Sequence, residues 1–230
     1  MNDFFSKLGE LFTNSGYLTS IFQGLLTTLE ISIFAIIIGF LLGLLIALIE
    51  TAKDSPWTKF PKALCKIYVT IIRGTPMALQ LFIMFFIIFA VRDFPEKVTA
   101  ILAFGLNSAA YSSEIFRSGI LSVDKGQKEA GLSLGLSEWT VFRKIIFPQA
   151  LKNSILPLGS EIITVIKETA IVSMVGMYDL NMAAKDIGSG QNLASYIVPM
   201  FVVALIYLAL VSIITKIVNH LNERLRIGDR

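Results

Sequence analysis

Apolar residues gather in five long stretches, near Leu18 to Ile49, Ile67 to Val91, Val98 to Ile120, Ser154 to Met177 and Ala194 to Ile217. A helix needs roughly 20 predominantly apolar residues to cross the hydrocarbon layer of a bilayer. Each stretch meets that length, so the pattern predicts an all-α membrane protein with five transmembrane helices.

Polar residues inside these stretches fall on stripes. At about 100° per residue, Ser160, Glu161, Thr164, Lys167 and Glu168 of the fourth stretch share one face. Ile162, Ile163, Val165, Ile166 and Ala170 face away. Asn107, Tyr111, Glu114 and Ser118 line up on the third stretch, and Gln23, Thr27 and Glu30 on the first. An ionisable group at membrane depth costs about 2.5 to 3.5 kcal/mol, so such stripes are expected to face a bundle interior or a hydrated path. The alternative is that they pair with one another to hold helices together, as Glu114 and Arg117 can at an i, i+3 spacing.

The second stretch opens with Arg73-Gly74-Thr75-Pro76, with Gln80 about one turn further on. Pro76 cannot continue a hydrogen-bonded helix, so a break with accessible amides is expected there, and Arg73 beside it is suited to a carboxylate. Gly39-x-x-x-Gly43 in the first stretch permits close helix approach, within the chain or in a dimer.

A polar stretch at about 122–150 separates the third and fourth runs. Asp124 and Ser137 can each cap a helix start, Gly135 can take a left-handed turn, and Pro148 is expected to stop the second helix. A DNA-reading helix-turn-helix has this outline too, but it would hardly sit between membrane spans.

Charge placement gives an orientation. Lys53, Lys59, Lys62 and Lys66 follow the first run; Lys125, Lys128, Arg143, Lys144 and Lys152 follow the third; Lys216, Arg224, Arg226 and Arg230 follow the fifth. The alternate segments hold Lys7, Arg92, Lys97 and Lys185. By the positive-inside rule the N-terminus is outside, the C-terminus is cytoplasmic, and the 122–150 loop is cytoplasmic.

Composition removes other classes. With 54% hydrophobic residues, 16% charged and a mean hydropathy of +0.71, the chain is far more apolar than a soluble domain. No cleavable signal is expected, because the first apolar run begins late, is too long and lacks a basic flank. Cys65 stands alone, which excludes an intrachain disulfide and suits a small apolar filler. No glycine-rich phosphate loop, hydrolase elbow or zinc motif occurs, and His220 is a single histidine. No catalytic residue, metal site or cofactor is expected in this chain.

Glu129-Ala130-Gly131, with Gly135, Ile145 and Pro148 at their spacings, resembles the EAA loop of ABC-importer permeases. Gly131 stands where a second Ala is common, and Phe147 where Leu is. Arg73-Gly74-Thr75-Pro76 with Gln80, Ala110-Tyr111, Glu114-Ile115-Phe116-Arg117, Gly119-Ile120, Gly126-Gln127 and Lys167-Glu168-Thr169-Ala170-Ile171-Val172-Ser173 are similar to the polar amino-acid branch of that family. Those are the histidine, glutamine, arginine and cystine-type importers. Glu168 replaces a commoner Asp. The resemblance runs from roughly Gln23 to Arg226.

The resemblance implies one transmembrane domain over 1–230, in the bacterial cytoplasmic membrane, translocating a polar amino acid. It implies coupling through Glu129, Ala130, Gly131, Gly135 and Pro148 to a cytoplasmic ATPase dimer that carries the ATP and Mg²⁺. An extracytoplasmic solute-binding protein would deliver substrate. Five helices with polar stripes hardly enclose a gated path alone, so a second permease chain, identical or different, is expected. The candidate substrate contacts are Arg73, Gln80, Tyr111, Glu114, Glu161, Thr164, Lys167 and Glu168: Lys167 and Arg73 for a carboxylate, Glu161, Glu168 and Glu114 for an ammonium. Cationic, amide, acidic and cystine-type substrates all carry that zwitterion, and these residues do not choose among them. An ion-coupled secondary transporter or channel would use the same stripes, but it has no account of the EAA-like loop.

Overall fold

The computed structural model describes residues 2–189 and 193–226. Arg230, one of the basic residues used for orientation, lies outside them. The described residues form helices joined by short turns, with no strand among them. In chain order the helices are α1 (Asn2–Thr13), α2 (Ser15–Thr51), α3 (Pro56–Arg73), α4 (Met77–Ile83), α5 (Glu96–Leu121), α6 (Lys125–Ser133), α7 (Glu138–Val141), α8 (Phe147–Glu168), α9 (Leu180–Ile187) and α10 (Leu193–Arg226). Wider π turns cover Met84–Ile88 and Phe142–Ile146, and a 3₁₀ stretch covers Thr169–Val175.

Among the described residues two helices are long and apolar enough to cross a membrane, Ser15–Thr51 and Tyr196–Leu225, and α3 with Met77–Ile88 qualifies as a third if taken as one broken span. The break falls at Gly74–Pro76, where the sequence places it. α5 and α8 carry the polar stripes and do not reach that apolarity. The fourth run is not one helix either: α8 ends at Glu168 and the chain tightens into the 3₁₀ stretch, which stops at Gly176 with φ 85°.

Contacts sort the chain into two compact units. The first takes Met1–Ala35, Met77–Phe104 and Ile163–Ile214. Its core joins Leu11 of α1, Ile21 of α2, Leu180 and Ala184 of α9, and Val198, Val202 and Val203 of α10. Asp179 caps α9 by accepting the Met182 amide at 2.7 Å, and the Leu180 amide donates to Thr28 Oγ1 at 3.2 Å, tying α9 to α2. Lys97 pairs with Glu30 at 2.6 Å, so one member of the first-run stripe is engaged with a neighbouring helix.

The second unit takes Ile36–Pro76, Gly105–Ile162 and Thr215–Arg230. Ala47, Phe116 and Leu158 form its core, with Phe40 edge-on to Phe116. Gly39 and Gly43 let α2 approach α5: a Cβ on either would come within 2.7 Å of Ser108 or Ser112. This small-residue spacing therefore serves packing within the chain. Tyr68 Oη donates to the Leu106 carbonyl, linking α3 to α5.

Candidate functional site

Within the second unit α3, α5 and α8 surround a cavity of about 920 Å³. Four of the residues expected from the sequence line it: Arg73, Tyr111, Glu114 and Glu161. Arg73 ends α3, and its guanidinium carbon lies 5.3 Å over the centre of the Tyr111 ring. Its Nη1 stands 3.9 Å from Glu114 Oε2, an ion pair without a hydrogen bond. Glu161 is only 8% exposed, and Ser108 Oγ donates to its Oε1 at 2.8 Å. The remaining polar lining is Lys152, Asn153, Ser118, Ser122 and Asn222. Ser122 accepts from Asn153 Nδ2 at 2.8 Å.

Glu114 is held most closely by Arg117. Nη2 donates to Oε2 at 2.6 Å and Nε to Oε1 at 3.3 Å, a two-pronged grip. The i, i+3 pair weighed from the sequence is therefore present. Arg117 Nε also lies 3.8 Å from Glu50 Oε2 at the end of α2. The sequence carries no signal for this long-range link. The cavity-lining Asn153 and Asn222 carry no signal either, lying outside the apolar runs, and Lys152 reads from the sequence only as an orienting charge.

The other four expected contacts do not line this cavity. Thr164 and Lys167 are exposed and Glu168 is half-buried, all three near the end of α8 in the first unit, which also contains Gln80 on α4. α4 packs on the 3₁₀ stretch that follows Glu168. In that stretch Ser173 Oγ accepts from Asn181 Nδ2 at 2.9 Å and from Lys185 Nζ at 3.1 Å. Thr169 is buried and donates to the Ile166 carbonyl.

The 122–150 loop, also in the second unit, has the expected corner. Asp124 Oδ1 accepts the Gly126 amide and Ser137 Oγ the Thr140 amide, capping α6 and α7. Gly135 has φ 79°; its amide bonds to the Leu132 carbonyl at 2.9 Å and the Leu136 amide to the Gly131 carbonyl at 3.2 Å, the Schellman pattern. Gly131 is a spacing residue, because a Cβ there would meet Val141 Cγ2 at 2.8 Å. Ala130 gives its carbonyl to the Leu134 amide. Pro148 does not stop a helix. It is the second residue of α8, inside a helical run unbroken from Glu138 to Glu168, and it sits directly after the π turn Phe142–Ile146, where the hydrogen-bond ladder shifts register around the N–H that proline lacks. Leu134 is 81% exposed and Trp139 66%, leaving apolar side chains on either side of the corner. Glu129 lines a second cavity of about 620 Å³ with Glu50, Arg117, Asp124 and Lys128.

A family model described as "Binding-protein-dependent transport system inner membrane component" matches residues 39–227. The chain is 36% identical over 211 residues to the arginine transport system permease protein ArtQ of Bacillus subtilis, covering 91% of this chain and 94% of that one. It is 37% identical over 205 residues to the L-cystine transport system permease protein TcyB of the same organism, covering 87% and 84%. Among solved structures, the crystal structure of an amino acid ABC transporter with histidines superposes with a TM-score of 0.81 at 36% identity. That match covers 91% of this chain and 95% of that one.

Proposed function

We propose a transport path for this chain from the premise that it belongs to the family of binding-protein-dependent transport system inner membrane components. It is the inner-membrane permease of an ABC importer of polar amino acids, and ATPase activity lies in a separate subunit. In our reading five transmembrane helices, N-terminus outside and C-terminus cytoplasmic, make a single transmembrane domain that pairs with a second permease chain. The 122–150 loop docks on the ATPase dimer, which binds ATP with Mg²⁺, through Glu129, Ala130, Gly131, Gly135 and Pro148.

The observation that carries the substrate reading is the 920 Å³ cavity with an arginine and a buried carboxylate in its lining. Arg73 takes the substrate carboxylate, beside Tyr111. Glu161, desolvated and already accepting from Ser108, takes the ammonium. Thr164, Lys167, Glu168 and Gln80, all in the first unit, are further candidate substrate contacts. Relatives named for arginine and cystine transport, and a solved amino acid transporter with histidines, support an amino-acid substrate, which carries a carboxylate and an ammonium in every case.

The test is uptake in vesicles containing the permease, its ATPase and its binding protein. A hydrogen bond to a charged group is worth about 1.5 to 3 kcal/mol, so Arg73→Gln and Glu161→Gln should each lower uptake at limiting substrate by roughly tenfold or more. Wild-type uptake with both changes in place would remove this cavity from the path.

A further inference from the structure

Glu50, Arg117, Glu114 and Arg73 form a chain of alternating charge within the second unit, and its links are unequal. Arg117 grips Glu114 with two hydrogen bonds, at 2.6 and 3.3 Å. Arg73 shares the Oε2 atom of that carboxylate but stays 3.9 Å away, resting on the Tyr111 ring. Glu50 holds the far side of Arg117 at 3.8 Å. Two carboxylates and two guanidiniums balance as they stand.

Deleting the Arg117 charge breaks that balance in one direction. Glu114 then has a single guanidinium within ion-pair range, that of Arg73, and a carboxylate with hydrogen-bonding capacity to fill closes on the nearest donors. Arg73 would be occupied from within the protein. We propose that Arg117 is a positioning residue for substrate: by fixing Glu114 in a two-pronged grip, itself anchored by Glu50, it keeps that carboxylate off Arg73 and leaves the Arg73 guanidinium open to a substrate carboxylate. Glu114 is then an internal competitor for Arg73 and not an ammonium contact. This rests on Arg73 being the carboxylate site.

The test is the kinetics of ATP-driven uptake in vesicles, separating KM from kcat. Arg117→Gln raises KM by about tenfold or more, with kcat within about threefold of wild type. Arg117→Lys keeps the charge but not the fork, and falls between. Adding Glu114→Gln to Arg117→Gln brings KM back to within about threefold of wild type, because no carboxylate remains to claim Arg73. A merely structural Arg117 would gain nothing from the second change. Adding Arg73→Gln to Arg117→Gln leaves KM where Arg117→Gln put it. If Arg117→Gln does not assemble with its ATPase, Arg117→Lys with and without Glu114→Gln gives the same comparison. Arg73→Gln alone with unchanged KM would defeat the substrate-site reading. A raised KM in Arg73→Gln, with no rescue of the Arg117 variant by Glu114→Gln, would overturn the positioning role and leave that site standing.

Discussion

Asp179 is fully buried at the head of α9, where one carboxylate oxygen accepts the Met182 amide and Oδ2 has no hydrogen-bond partner among the described residues. Burial pushes its pKa up from 3.8 to about 6, against the pull of the Met182 and Asn181 amides and the Lys185 charge. The folded chain therefore holds this proton more tightly than the unfolded chain. The stability it contributes is full below about pH 4 and is lost as pH rises through 6. Asp179→Asn keeps an oxygen for the cap and cannot ionise. The variant should melt above wild type by an amount worth up to about 3 kcal/mol at pH 8, shrinking to about 1 kcal/mol by pH 4.5. Melting curves of the purified complex at the two pH values check this; a gap independent of pH would contradict it. Gly131 shows the same contest at one atom. By helix propensity alone, glycine in place of the commoner Ala weakens α6 by roughly 1 kcal/mol. In the structure Val141 occupies the space a methyl group would need, and overpacking costs about 1 to 3 kcal/mol, so the cavity-free contact decides in favour of glycine.

The α6–α7 corner depends on a different glycine property. Nothing lies within 4 Å of a Cβ built on Gly135, so its demand is conformational: φ 79° is strained for any β-branched residue. Gly135→Val should cost more than about 1 kcal/mol of local stability and misdirect Leu134 and Trp139, lowering ATPase co-purification severalfold while membrane insertion is unchanged. Stoichiometric ATPase recovered with Gly135→Val would refute the coupling role of this corner. This element was legible beforehand because caps and a left-handed glycine are local signals: Asp124, Ser137 and Gly135 each do what their side chains dictate. Pro148 shows its effect only in the structure, since a proline that ends a helix and one carried through behind a π turn look alike in sequence. The 3₁₀ stretch was hidden too, because Thr169, Ile171, Val172 and Val175 continue an apolar run whichever way the backbone winds. α1 and α9 are short amphipathic helices outside the spanning runs, and a search for long apolar stretches passes over them. Of the site, the intrahelical pair Glu114–Arg117 followed from spacing, whereas Glu50–Arg117 joins residues of α2 and α5 that no local pattern connects.

For the whole chain, orientation is the open geometric quantity, and two thiols report it. Cys65 is half-buried on α3. It should react only with reagents that reach the cytoplasmic face, and Arg92→Cys, in a Cys65→Ser background, only from outside. Both reacting from one side would contradict the five-span topology. The two compact units bear on how such a molecule is made. α2, α5, α8 and α10 each begin in one unit and finish in the other, so each unit is assembled from three separate parts of the chain. The last of these, α10, gives residues 193–214 to the first unit and 215–226 to the second. Neither unit is complete until α10 has been made. The core of the first unit waits in the bilayer until Val198, Val202 and Val203 of α10 arrive, and a chain cut short before α10 is left with two unfinished halves for quality-control proteases to find.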